Sequence, residues 1–160
     1  MMTNEKLIIK TPSDKELTWV RKFNAPREFV FDALTKPELI RRWLLGPDGW
    51  SMIVCDVDLK VGGAYRYVWS HAVKGEMGMG GVFQNIQKPE KLVHTEVFDQ
   101  SWYPGEAVIT SDLIDKEEKT ELVVTMLFAS KEARDVVIQS NMESGLIASY
   151  DRLADILSSV

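Results

Sequence analysis

One cysteine, two histidines and no run of basic residues exclude several classes of function before any pattern is read. Cys55 has no second thiol to pair with, so the chain forms no internal disulfide, which agrees with a reducing compartment. His71, His94 and Cys55 are too widely separated to give metal-ligand spacing, and no metal is expected. With 19 basic against 24 acidic residues and a formal charge of -5, there is no electrostatic footprint for nucleic acid or anionic lipid. The partners to expect are neutral or apolar. Residues 1–12 carry no apolar run of signal-peptide length and no later segment approaches a membrane span, so a cytoplasmic soluble protein is expected. There is no Gly-x-Ser-x-Gly element and no dinucleotide fingerprint. Met77-Gly78-Met79-Gly80-Gly81 opens no helix, lacks the aligned amides that bind phosphate, and reads as a sharply bent strand. No cofactor is expected.

Internal repeats, low-complexity segments and linkers are also missing, and 160 residues suit one domain burying roughly 70% of its unfolded surface. Residues 1–14 read as a loose segment or edge strand, and the first full strand runs from Glu16 to Phe23. Pro26 and Pro37 each suit a first helical position, where the missing amide costs nothing, and Glu28 and Glu38 favour the positive ends of the same helices. Lys36, before a proline, is pushed out of helical geometry, so two short helices are expected in place of one long one. Strands then follow at about 50–59, 63–70, 76–86, 91–99, 106–115 and 120–129, joined by turns short enough for antiparallel hairpins.

Ser130 reads as an N-cap, and residues 131–158 as one long helix with Met142, Leu146, Tyr150, Leu153 and Leu157 on one stripe. Such a stripe needs a surface to lie on, and the candidate is the concave side of a bent sheet. The expected architecture is α+β, a curved antiparallel sheet of about six to seven strands with a long C-terminal helix across it.

Several motifs carry a resemblance. They are Phe23 to Phe31, Pro37-Glu38 through Trp43, Gly46-Pro47, Asp58 through Gly62-Gly63 to Tyr65, and Pro89 to Thr95. Ala133-Arg134-Asp135, Met142-Glu143 with Gly145, and Tyr150 to Leu153 complete the set. Nearly the whole chain resembles the activator of heat shock protein 90 ATPase homologue family, in its small bacterial single-domain branch, within the START-like or SRPBCC helix-grip superfamily. Leu44-Leu45 and Leu146 stand where many relatives carry Trp beside the cavity, so the resemblance implies a changed ligand preference. The superfamily includes lipid and hormone carriers, polyketide cyclases and chaperone-binding domains, and the fold does not choose among them.

Five Trp and seven Met supply adaptable apolar surface where a helix crosses a bent sheet. Trp43, Trp50, Trp69 and Trp102 are candidate cavity walls, as are Met77, Met79, Met126 and Met142, together with Phe83 and Phe128. Gly145 inside the long helix costs about 1 kcal/mol relative to alanine, which suggests close approach to the sheet or room for a ligand, with Leu146 beside it. His94 and Glu96 stand two apart on one face of a strand and could act as base and acid if that face pointed inward. The alternating set Val93, Thr95 and Val97 is more apolar and has the better claim on the interior, leaving His94 and Glu96 in solvent, although Leu92 and Phe98 on the opposite parity weaken that claim. Ser70 and His71, adjacent in a strand, point to opposite faces and make a poor nucleophile and base, although His71 could border a cavity mouth. Glu76 and Asp99 read as surface acids and Cys55 as a structural thiol.

Three functions follow in order. The first is binding of a hydrophobic or aromatic small molecule between sheet and helix. The second is a cyclase, dehydratase or hydrolase in the same cavity, with His94, Glu96 and His71 the residues to test. The third is a chaperone-interacting module, implied only by the resemblance and ranked last because the eukaryotic activators carry an additional N-terminal domain. A monomer or homodimer is expected.

Overall fold

The computed structural model describes residues 7–159. Eight strands and four helices follow one another as β1 (Ile8–Lys10), β2 (Glu16–Phe23), α1 (Arg27–Thr35), α2 (Pro37–Trp43), β3 (Trp50–Val57), β4 (Ala64–His71), β5 (Gly75–Gln87), β6 (Lys91–Phe98), β7 (Ala107–Asp115), β8 (Thr120–Leu127), α3 (Lys131–Gln139) and α4 (Met142–Leu157). The strands form one antiparallel sheet in the order β1-β2-β8-β7-β6-β5-β4-β3, so after β2 the chain crosses through α1 and α2 to β3 at the far edge and then meanders back until β8 pairs with β2. β1 is the edge strand allowed for in the N-terminal segment and brings the sheet to eight strands.

Alternation sets the inner face. Leu17, Trp19 and Phe23 of β2 are buried, as are Leu122, Val124 and Met126 of β8, while their neighbours in sequence are more exposed. Arg21 sits in the same inward row at 3% exposure, where its Nη2 donates to Asp151 on α4 at 3.0 Å and ties that helix to β2. Trp19 Nε1 donates to Tyr150 on α4 at 2.8 Å beside it.

The two short helices lie where the prolines place them, with one adjustment. Pro37 occupies the start of α2, whereas Pro26 is the extended residue flanking α1, with φ -61 and ψ 155. The expected single helix over 131–158 is instead two. Ser130 caps α3 by accepting from the Ala133 amide at 3.1 Å, as its position in sequence indicated. At the other end Ser140 Oγ donates to the Val137 carbonyl, and Asn141 takes the left-handed conformation at φ 61, which asparagine tolerates better than most residues. The stripe read from the sequence begins at Met142, just after this break, and the buried row before it, Ala133 and Val137, is followed by polar Ser140 and Asn141. α4, 16 residues and about 24 Å long, lies over the sheet, and α3 packs on β2 through buried Ala133 and Val137.

Candidate functional site

Between α4 and the inner face of the sheet lies a cavity of ≈ 520 Å³. Its roof is α4, through Met142, Gly145, Leu146, Ser149 and Tyr150, and its floor is the inner faces of β4 to β8. All five tryptophans, Trp19, Trp43, Trp50, Trp69 and Trp102, contribute to the wall.

One side is closed by the segment between α2 and β3, which carries no regular structure of its own and is held by side chains. Trp43 Nε1 donates to the Ala33 carbonyl at 2.8 Å, and Trp69 Nε1 donates to the Leu44 carbonyl at 2.7 Å. From α4, Ser149 Oγ accepts from the Gly46 amide at 2.8 Å, and Arg152 donates to the Gly46 carbonyl at 2.7 Å and to Asp48 at 3.0 Å. Gly145 faces this segment and not the sheet: a Cβ there would stand 3.5 Å from Pro47 Cδ and 3.9 Å from Gly46 Cα. The sequence-based expectation of close approach to the sheet is corrected accordingly.

Of the residues singled out as walls, Trp43, Trp50, Trp69, Met77, Met79 and Trp102 lie on the cavity, as do Met126, Met142, Gly145 and Leu146. Phe83 and Phe128 do not. Both are 3% exposed and packed behind the wall, Phe83 against the Tyr65 and His94 rings and Phe128 edge-on to Tyr103 at 5.4 Å. Each supports a side chain that in turn holds the polar floor.

That floor reverses the expected faces of β6. His94 and Glu96 line the cavity with Leu92 and Phe98, whereas Val97 is 39% exposed on the other side. Thr95 is buried, but against β5 and not in the cavity: its Oγ1 accepts from the Val82 amide at 2.9 Å. The paired register of β5 and β6 runs through Gly80 with Val97 and resumes at Phe83 with His94. In the gap, the Thr95 carbonyl accepts from Tyr65 Oη at 2.5 Å. His94 Nδ1 lies 3.1 Å from Tyr65 Oη and 3.2 Å from the Thr95 carbonyl. With the Tyr65 hydrogen committed to Thr95, both atoms facing Nδ1 are acceptors, so the network assigns the proton to Nδ1 and leaves the Nε2 lone pair free. Burial lowers the His94 pKa from 6.5 to about 4, against a smaller opposing effect of the Thr95 carbonyl, so the ring is neutral at pH 7.

Glu96 accepts from Tyr103 Oη at 2.8 Å through one carboxylate oxygen. Burial raises its pKa from 4.5 to about 7, and the Tyr103 hydrogen bond offsets only part of that rise. Desolvation pushes Tyr103 itself well above the ordinary range for tyrosine. The floor therefore presents a neutral imidazole acceptor and a carboxyl that changes state near neutrality. Leu92 and Phe98, the two large apolar residues that share the pair's parity and weakened the opposite expectation, are the signal that points the right way.

His71, the third residue to test, does not line the cavity. Its Nδ1 accepts from the Val73 and Lys74 amides at 3.1 Å each, capping the turn after β4, and its ring packs against Trp50 at 5.0 Å. Asp99 makes an exposed bidentate pair with Arg66, and Glu76 is exposed. Cys55 is buried, and desolvation raises its thiol to about 11 despite Arg41 nearby. Among the described residues no cluster of three His, Cys, Asp or Glu side chains could hold a metal ion, and no helix is long and apolar enough to cross a membrane.

Comparison with known proteins gives the family. No curated protein matches the chain. Among solved structures, a Rhodobacter sphaeroides protein is 31% identical with a TM-score of 0.91, covering 98% of this chain and 100% of that one. A Chromobacterium violaceum protein is 24% identical with a TM-score of 0.79, covering 91% and 98%. An Hsp90 activator from Plasmodium falciparum, 21% identical with a TM-score of 0.62 over 90% and 96%, shares the fold. The family model described as Activator of Hsp90 ATPase homolog 1-like protein matches residues 24–158, and the chain belongs to that family, with its helix-grip fold.

Proposed function

We propose that this protein binds a hydrophobic or aromatic small molecule in the cavity between α4 and the sheet. The observation that carries the reading is a ≈ 520 Å³ space whose wall includes every tryptophan in the chain. Pockets of this size and lining suit drug-sized apolar ligands. The test is native mass spectrometry of the protein as purified, followed by thermal shifts against a panel of apolar aromatic compounds. A ligand that binds only the folded state raises the melting temperature with concentration. The expected result is a retained molecule or a concentration-dependent shift that Met126→Trp, which enlarges a side chain already on the cavity floor, abolishes. Silence in both assays, or shifts unchanged in that variant, would overturn the reading.

A second reading is favoured by one observation. His94 and Glu96 lie on the cavity floor with opposed pKa shifts, and a base and an acid at one apolar site are what a proton-transferring enzyme of the cyclase or dehydratase kind requires. The chaperone-module reading rests on the family description and on the printed function of the Plasmodium falciparum relative, and no feature of the site supports it.

A further inference from the structure

Four polar side chains reach the apolar cavity from three strands: Tyr67 on β4, His94 and Glu96 on β6, and Ser111 on β7. Their hydrogen-bonding capacity is not used up. His94 is engaged through Nδ1 alone and Glu96 through Oε2 alone. Tyr67 Oη and Ser111 Oγ have no partner among the described residues, and none of these free atoms is sealed from the cavity. The lining contains no Lys or Arg, and Glu96 is its one carboxyl group.

We propose that the cavity selects a neutral, largely apolar ligand bearing a hydroxyl group, phenolic or alcoholic, whose oxygen sits between His94 Nε2 and the Glu96 carboxyl, and that it rejects carboxylates. This rests on the small-molecule reading above and names the ligand class. Side chains two apart on a strand rise roughly 6.6 Å apart, and one oxygen making two bonds of about 2.8 Å reaches at most about 5.6 Å, so the bridge requires the imidazole and carboxyl tips to lean toward each other by about 1 Å or more. Nε2 can only accept, so the ligand must donate to it. The hydroxyl's single hydrogen goes to Nε2, so its oxygen accepts from the carboxyl in the protonated form, whereas an ionised carboxylate would compete with Nε2 for that one hydrogen. A ketone has no proton for Nε2, and a pure hydrocarbon leaves both groups desolvated and unpaired. A carboxylate places a second negative charge beside Glu96 in a wall without a cation.

The probes are 4-propylphenol, propylbenzene and 4-propylbenzoate, measured with the full chain at pH 7 by equilibrium dialysis. The phenol is expected to bind at least about tenfold more tightly than either of the others, because a site built to hydrogen-bond a hydroxyl discriminates against analogues that lack it. His94→Leu and Glu96→Leu are expected to bring the phenol to within about threefold of propylbenzene while propylbenzene itself is retained. Equal binding of phenol and propylbenzene to the wild type, or tighter binding of the benzoate, would overturn the selectivity and leave the apolar cavity standing. Retention of none of the three, together with silence across the aromatic panel, would overturn both readings.

Discussion

The two sides of β6 carry opposite chemistry in the opposite places from those that polarity alone predicts. On the inner side Leu92, His94, Glu96 and Phe98 face the cavity, and on the outer side Val97 faces solvent. Burying a carboxyl is costly unless it is hydrogen-bonded. Part of the cost is offset by groups outside the strand itself: Tyr103, in the segment before β7, donates to Glu96, and Tyr65 on β4 donates to the Thr95 carbonyl beside His94. An exposed valine costs little, since much of any protein surface is apolar. The difference teaches that polarity places a residue only where no partner elsewhere can satisfy it.

The strongest way to break this arrangement is to push β5 and β6 apart where their pairing is interrupted. A Cβ at Gly81 would stand 2.0 Å from the Thr95 carbonyl oxygen and 2.6 Å from its carbon, both backbone atoms that cannot rotate away. Gly81→Ala is expected to cost about 3 kcal/mol, at the upper end of overpacking effects. It should also disturb His94, since the displaced carbonyl is one of the two acceptors facing Nδ1. Urea unfolding measures the first effect and the His94 ring chemical shift the second; an alanine variant as stable as the wild type would contradict the close approach.

The next effect separates the two inner-face titrations. Glu96 has a folded pKa raised from 4.5 to about 7, so the folded state holds a proton the unfolded state has lost, and stability falls as pH rises between those values. His94 has a folded pKa lowered from 6.5 to about 4, so the unfolded state holds the extra proton and stability rises with pH through that window. The windows overlap and the slopes oppose, so the pair contributes a nearly flat profile from about pH 4.5 to 6.5. Glu96→Gln is expected to expose the rising slope and His94→Gln the falling one, each on the order of 2–3 kcal/mol across its window relative to the wild type. Melting temperatures from pH 4 to 8 check this. Parallel profiles for the wild type and both variants would show that neither group is desolvated in the folded state.

How far the sequence exposed this architecture depends on whether the deciding partner is local. The helix pair was legible because Pro37 and the residue before it constrain their own backbone, and the cap at Ser130 because its acceptor serves an amide three residues away. The break at Asn141 is local as well, and its signal was the polar Ser140-Asn141 pair that interrupts the row from Ala133 and Val137 before the stripe starts at Met142. Tryptophans and methionines pointed toward a cavity through bulk and flexibility, whereas Phe83 and Phe128 lie behind the wall because two tyrosines come between. Inward His94 depends on Tyr65, two strands away on β4, and inward Glu96 on Tyr103 in the irregular connection after β6, and no spacing along β6 encodes either partner.

The smallest effect sharpens the comparison from the outer side. Val97 pairs with Gly80 in the ladder and leaves 39% of its surface to solvent. Val97→Lys keeps the extended backbone, places its charge in water and buries no unpaired group. It is expected to change stability by less than about 0.5 kcal/mol, as for ordinary surface positions, and to leave ligand binding within experimental error. The same charge one residue earlier, Glu96→Lys, would place an ammonium in the apolar wall beside Tyr103. A cost at 97 comparable to that at 96, read from urea midpoints of the two variants, would mean that the outer face of β6 is covered in solution.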